Sequence, residues 1–163
     1  MRIGLVGCVK EKVHAPAPAR DLYVSPLFVG RRGFVERSCD RWFVLSGRHG
    51  LVAPSTVLAP YDQSLADSSP AERHSWSRRV LDELAAAVGP LGRHTYEIHA
   101  DETYRDHGLA AGLLAAGATV EVPARGLRHE EQLVFYARHV RAAASPTRPG
   151  TRPARTPPET PGG

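Results

Sequence analysis

RIGLVGCV, residues 2–9, is a short apolar run that begins at the second residue and stops where Lys10, Glu11 and Lys12 follow. A run of this length, rich in Ile and Val and too short for a helix core, reads as a β-strand. Three similar runs come later: RWFVLS at 41–46, TYEIHA at 95–100 and ATVEVP at 118–123. Helical patterns separate them, and strands alternating with helices predict a parallel sheet with helices packed on its faces. The expected fold is α/β, a Rossmann-like three-layer domain with a mainly parallel four-stranded sheet.

The helix boundaries carry their own signals. Ser25-Pro26 offers an N-cap with proline at the first helical position, opening a helix to about Arg37. Ser69-Pro70-Ala71-Glu72 is a capping box for a second helix that stops at Gly89-Pro90. Asp101 is placed to cap a third helix through Leu109, Leu113 and Leu114 to Gly117. A fourth is expected from about His129 to Ala144, with Leu133, Tyr136 and Val140 on one face.

At 163 residues the chain is about the length of one domain, expected to span residues 1–144. Residues 145–163, SPTRPGTRPARTPPETPGG, hold six of the fourteen prolines and no large apolar side chain, so a disordered Pro/Arg-rich tail is expected there. Half of the net charge of +4 lies in that tail, which leaves the folded part nearly neutral and makes overall basicity a weak argument for nucleic-acid binding. No apolar run approaches the ~20 residues needed to span a bilayer, and the N-terminus lacks the pattern of a signal peptide, so a cytoplasmic protein with no membrane partner is expected. Cys8 and Cys39 are too few for a disulfide framework and should be free thiols. No feature fixes the oligomeric state.

Open parallel sheets bind ligands beyond the carboxyl ends of their strands. Here that rule gathers Cys8, Lys10 and Lys12 after the first strand, Ser46 to Gly50 after the second, Asp101 and Tyr104 after the third, and Gly126 after the fourth. Tyr23 and Ser25 stand at a helix N-terminus, where backbone N–H groups favour an anion such as phosphate. The second strand runs into LSGRHGLVAPSTVLAPYDQSL, residues 45–65, which is crowded with reactive side chains for a connector. His49 has the near-neutral pKa of a general acid–base, or is a turn residue. Tyr61 and Asp62 are aimed by Pro60; Asp62 could serve as a carboxylate base, bind sugar hydroxyls, or close an Asx-turn. Cys8 is either a nucleophile or a small buried hydrophobe. Gln132 could reach a ligand, although the first turn of its helix, with Glu130 and Glu131, is also explained by the helix dipole.

Several devices are missing. There is neither a phosphate-binding GxxxxGK[ST] loop nor a GxGxxG fingerprint, and His94, His99 and His107 fit no zinc spacing. No G-x-S-x-G elbow surrounds Ser46. Neither a metal nor an organic cofactor is expected.

Taken in order, GCVKEK, APARDLYVSPLF, FVLSGRHGLVAPSTVLAPYDQSL and GLRHEEQLVFY resemble a family of short bacterial and phage proteins of unknown function, over most of residues 3–136. The LSGRHGL…PYDQSL portion is also similar to a stretch of the YaaA peroxide-stress family, which is associated with DNA binding. The succession Cys8, Lys10, Lys12, Tyr23, Ser25 resembles the lysine-transferring motif of archaeosine synthase, in a domain likened to uracil-DNA glycosylases. Phe28 stands where that motif has a histidine, so its amidation chemistry is not implied. The resemblances imply a Rossmann-like domain acting on a nucleobase, nucleoside, nucleotide or nucleic acid.

Three functions follow as expectations. The first is an enzyme attacking the N-glycosidic bond or the base. Asp62 or His49 would activate water or stabilise a developing oxocarbenium charge, Lys10, Lys12 and the helix N-terminus at Ser25 would hold phosphate, and Tyr23 or Tyr61 would stack on the base of a nucleoside-like or phosphate-bearing small molecule. The others are a non-catalytic DNA- or RNA-binding stress protein using Arg31, Arg32, Arg37 and Arg41 with the basic tail, and a covalent enzyme with Cys8 as nucleophile near a base such as His49. Ser46, Gly50, Tyr61, Asp101, Tyr104 and Gln132 complete the candidate binding residues.

Overall fold

The computed structural model describes residues 1–144, with side chains to residue 139. Four parallel strands form its centre: β1 (Arg2–Gly7), β3 (Arg41–Ser46), β6 (Thr95–His99) and β7 (Thr119–Glu121). A fifth, β4 (Gly50–Val52), turns back from the 45–65 stretch and pairs antiparallel with β3 at the sheet edge. The strand order is β4-β3-β1-β6-β7. The sheet is therefore mainly parallel, as expected, with five strands instead of four. The additional strand is short and leaves the polar loop at once, which hides its alternation in the sequence. A two-residue ladder, β2 (Ala17–Pro18) with β5 (Val57–Leu58), ties the loop after β1 to the loop after β4. The expected tail at 145–163 lies outside the described residues.

The longer helices keep the boundaries that their caps dictate. α1 (Ala19–Leu22) is a single turn, whereas α2 (Pro26–Ser38) opens with Ser25 Oγ accepting from the Phe28 amide at 3.2 Å. α3 (Pro70–Val88) carries both bonds of the Ser69/Glu72 capping box, at 3.2 and 2.7 Å, and ends at Gly89. The helix expected from Asp101 to Gly117 is two pieces, α4 (Glu102–Arg105) and α5 (Leu109–Ala115), separated at Asp106–Gly108. Asp101 makes no side-chain cap; its carboxylate is taken by Arg31 instead. α6 (His129–Ala144) closes the described chain. Among the described residues no helix is long and apolar enough to cross a membrane.

The two faces of the sheet are covered separately. Ile3, Leu5, Phe43, Leu45, Tyr96 and Ile98 pack against Trp76, Val80 and Leu84 of α3 and Leu109 and Leu113 of α5. Val6 and Val44 pack on the other face with Leu22, Phe28 and Val35, and α6 lies against α2 there. From β1 the chain steps to β3 on one side, then crosses to β6 on the other side. That reversal opens a crevice at the carboxyl ends of β1 and β6, where neighbouring connections leave in opposite directions.

Candidate functional site

The crevice between β1 and β6 is a cleft of about 1100 Å³. The segment after β1 supplies Cys8, Lys10 and Lys12; the N-terminus of α2 supplies Ser25, Pro26 and Leu27. Asp62, Gln63 and Ser64 face it from the loop before α3, Asp101, Thr103 and Tyr104 from the segment after β6, and His129 and Leu133 from α6. Of the residues singled out in the sequence, the fold thus brings Cys8, Lys10, Lys12, Ser25, Asp62, Asp101 and Tyr104 to one cavity.

Three of these are chemically distinctive. Cys8 is half-buried, its Sγ 3.1 Å from the hydroxyl of buried Tyr104, whose pKa is pushed up by burial. Lys12 is half-buried too, its Nζ donating to the carbonyls of Val9 and Lys10 at 3.1 Å and lying 4.5 Å from the centre of the Tyr61 ring. Burial lowers the Lys12 pKa, opposed by the nearby acidic groups Cys8, Asp62 and Glu11. Asp62 is exposed, and its carboxylate takes no hydrogen bond from the described residues, so no Asx-turn holds it.

Five of the singled-out residues stand behind the cleft wall. The hydroxyls of Ser46, Tyr61 and Tyr23 form a buried chain, with Ser46 Oγ to Tyr61 at 2.7 Å and Tyr61 to Tyr23 at 2.5 Å. Ser46 also accepts from the His49 amide at 3.0 Å through Oγ and from Trp76 Nε1 at 2.8 Å through its carbonyl. Burial pushes Tyr23 up to about 12 and Tyr61 up as well, so both phenols stay protonated. Leaving any one buried hydroxyl unpaired would cost roughly 1–3 kcal/mol, so the chain acts as a brace under Lys12. His49 sets its ring edge-on to Tyr61, with centres 5.2 Å apart. Burial, with Arg48 and Arg79, lowers its pKa and favours the neutral imidazole. Gly50 has φ +72°, and a side chain there would meet Glu83 and Arg79 of α3, so it serves the β3–β4 turn.

Gln132 lines a neighbouring pocket of about 470 Å³, bounded by the ends of β6 and β7 and the first turn of α6. Behind it runs a polar network that sequence reasoning missed. The Glu97 carboxylate, almost fully buried, receives Arg2 Nε at 2.9 Å, Ser38 Oγ at 2.8 Å and Cys39 Sγ at 3.2 Å; Arg2 also pairs with Glu121. Burial opposes ionisation of Glu97, but hydrogen bonds from His99, Ser38, Arg2 and Cys39 outweigh it and hold the carboxyl at about 2. Burial, with the Glu97 carboxylate beside it, pushes Cys39 up to about 12. Burial also lowers the His99 pKa, keeping the ring neutral. With Glu97 ionised and accepting only, His99 Nε2 carries the proton at 3.4 Å, and Nδ1 accepts from the Tyr136 hydroxyl at 2.7 Å. A signal for this network was present: Glu97 and His99 alternate on one face of a strand whose parallel pairing demands burial on both faces.

The four arginines weighed for nucleic-acid binding do not make a free patch. Arg31 is buried, with Nη2 on Asp101 at 3.0 Å and on Gln132 at 3.1 Å. Arg32 is held by Glu36 and Asp21, each at 2.8 Å, and Arg41 lies over the Phe43 ring and donates to the Ala87 carbonyl at 3.0 Å. Arg37 alone of the four is exposed without a hydrogen bond to the described residues.

Residues 3–138 match a family of unknown function (DUF6884), and the chain belongs to that family. Neither a curated protein nor a solved structure matches the chain.

Proposed function

We propose that this member of a family of unknown function is an enzyme whose β1/β6 cleft takes a nucleoside-like, phosphate-bearing molecule. The observation that carries the reading is the convergence of Cys8, Lys10, Lys12, Asp62 and Tyr104 with the α2 N-terminus on one cavity at the point where the strand order reverses. The resemblance to a glycosylase-like domain supports the choice of N-glycosidic bond or base chemistry.

In this reading the phosphate lies against Lys10, Lys12 and the α2 N-terminus, where ammonium groups and the helix dipole favour negative charge. Asp62 takes a proton from water as the water attacks the anomeric carbon, and its charge favours the oxocarbenium character that develops as the C–N bond breaks. The pair of electrons leaves with the base, which takes a proton from solvent. Cys8 and Tyr104 border the reacting region as a hydrogen-bonded pair. Tyr23 and Tyr61 are occupied with Ser46 beneath the floor, and the reading gives them the role of supporting Lys12 and no contact with the base.

The experiment is base release by the full chain from a panel of nucleosides, nucleoside monophosphates and short oligonucleotides. For any substrate turned over, Asp62→Asn should lower kcat by about 10²-fold or more with the fold retained, the scale of a lost general base. Undiminished turnover in that variant would remove Asp62 from the chemistry and the proposal with it.

A further inference from the structure

We infer that the pocket beside the cleft is a separate oxyanion site, in which a phosphate or carboxylate displaces Asp101 from the buried guanidinium of Arg31. The inference does not depend on the catalytic reading of the cleft. Arg31 is 1% exposed and lines this pocket, yet only Nη2 is bonded, to Asp101 and Gln132; Nε and Nη1 are buried without partners. Three of the five N–H groups of a guanidinium are thus unanswered in a place where water reaches poorly. A permanently charged side chain is rarely left so unless something else completes its hydrogen bonds.

The geometry of the existing partner explains why it is replaceable. Asp101 holds Arg31 through one oxygen, at 3.0 Å, and its side chain is 63% exposed against 2% for the arginine. It caps no helix and sits at the pocket mouth. Each bidentate edge of a guanidinium contains Nη2 and one of the other two nitrogens. Either edge of Arg31 therefore combines one nitrogen held by Asp101 with one that is free. A phosphate or carboxylate arriving on Nη2 gains a second, parallel bond that Asp101 does not make.

Among the groups lining the pocket, three arginines stand against two carboxylates. Arg105 and Arg128 line the pocket, Arg105 largely buried and paired with Asp106, Arg128 paired with Glu131, and Arg128 and Gln132 border it from the start of the 16-residue α6, whose N-terminus favours an anion. The carboxylates facing it are Asp101 itself and Glu102. Tyr136, donating to His99, adds a hydroxyl beside Arg31 that makes no hydrogen bond with Nε or Nη1.

The test is a ¹H–¹⁵N NMR titration of the full chain with inorganic phosphate, and the same titration with acetate separates the two oxyanion sources. Saturable shifts are expected at the Gly126, Leu127 and Gln132 amides with at least one of the two anions. Because Asp101 competes for Arg31, Asp101→Asn should tighten that binding at least threefold. Arg31→Gln should abolish the shifts; if that variant fails to fold, the Asp101→Asn comparison decides. Unchanged or weaker binding in Asp101→Asn, or no shift at the three amides with either anion, would overturn the inference. Shifts at the Lys10, Lys12 and Leu27 amides report the cleft independently.

Discussion

Cys8 and Cys39 are both half-buried thiols, but their neighbours divide them chemically. Cys8 faces the open cleft beside Tyr104, while Cys39 donates to the Glu97 carboxylate and is pushed up to about 12. Only the thiolate alkylates, so mild iodoacetamide treatment read by mass spectrometry should label Cys8 well before Cys39. Equal inertness of the two would rule out Cys8 as a nucleophile. Glu97 gives a second residue-scale prediction, through pH. Its carboxyl falls from an ordinary 4.5 to about 2 on folding, so its stabilisation is complete above 4.5 and is lost as the pH drops toward 2. His99, with a lowered pKa, adds loss in the same direction, beginning as the unfolded histidine protonates below about 6.5. Glu97→Gln should therefore cost roughly 1.5–3 kcal/mol at pH 7, the range for hydrogen bonds to a charged group, and flatten the fall in stability below pH 4.5. Thermal melts from pH 7 to 3 check both; an unchanged acid slope would count against the network. Both residues showed in the sequence only as polar positions on one strand face, without their partners. TYEIHA reads as one more strand, and only the three-dimensional pairing brings Ser38, Cys39 and Arg2 onto its glutamate.

The elements were largely written in their ends. Ser25 and Pro26 at the start of α2 and the Ser69/Glu72 box at the start of α3 set the helix starts locally, because the cap bonds involve neighbours in sequence. RWFVLS marks β3 from end to end. β4 was not legible, since a three-residue antiparallel edge strand is fixed by its partner and carries too few side chains to show a period. The break between α4 and α5 was also missed, because the apolar spacing continues across it while Asp101 is drawn to Arg31, a tertiary partner, instead of capping. Packing between elements supplies a prediction of its own. A Cβ on Gly30 would lie 2.7 Å from the Tyr136 Cβ, so α2 and α6 approach through that glycine, and beside it stands Arg31. Gly30→Ala gains about 1 kcal/mol of helix propensity but forces the helices apart. A net loss of about 1–2 kcal/mol in denaturant unfolding is expected from overpacking; a stabilised variant would show that the two helices are not in contact there.

At the scale of the molecule, the strand order decides where chemistry can occur. Reversal of direction at β1 places the segment after β1, the α2 N-terminus and the segment after β6 around one cleft, and the 45–65 stretch reaches it with Asp62 while Ser46, His49 and Tyr61 stay behind its wall. The sheet-edge rule could name the loops from sequence alone. It could not divide their side chains into those that face the cleft and those that brace it, because that depends on hydrogen bonds such as Tyr61 to Tyr23 across 38 positions. The crowding of polar residues in the stretch thus has two origins, one bracing the wall and one facing the cleft. The central claim is that the cleft binds a nucleoside-like, phosphate-bearing molecule, and the most direct measurement is a crystal structure of the full chain with a nucleoside monophosphate. The account predicts the phosphate against Lys10, Lys12 and Ser25, with the sugar turned toward Asp62. A nucleotide seated outside the cleft, or a cleft left empty at saturating nucleotide, would contradict it.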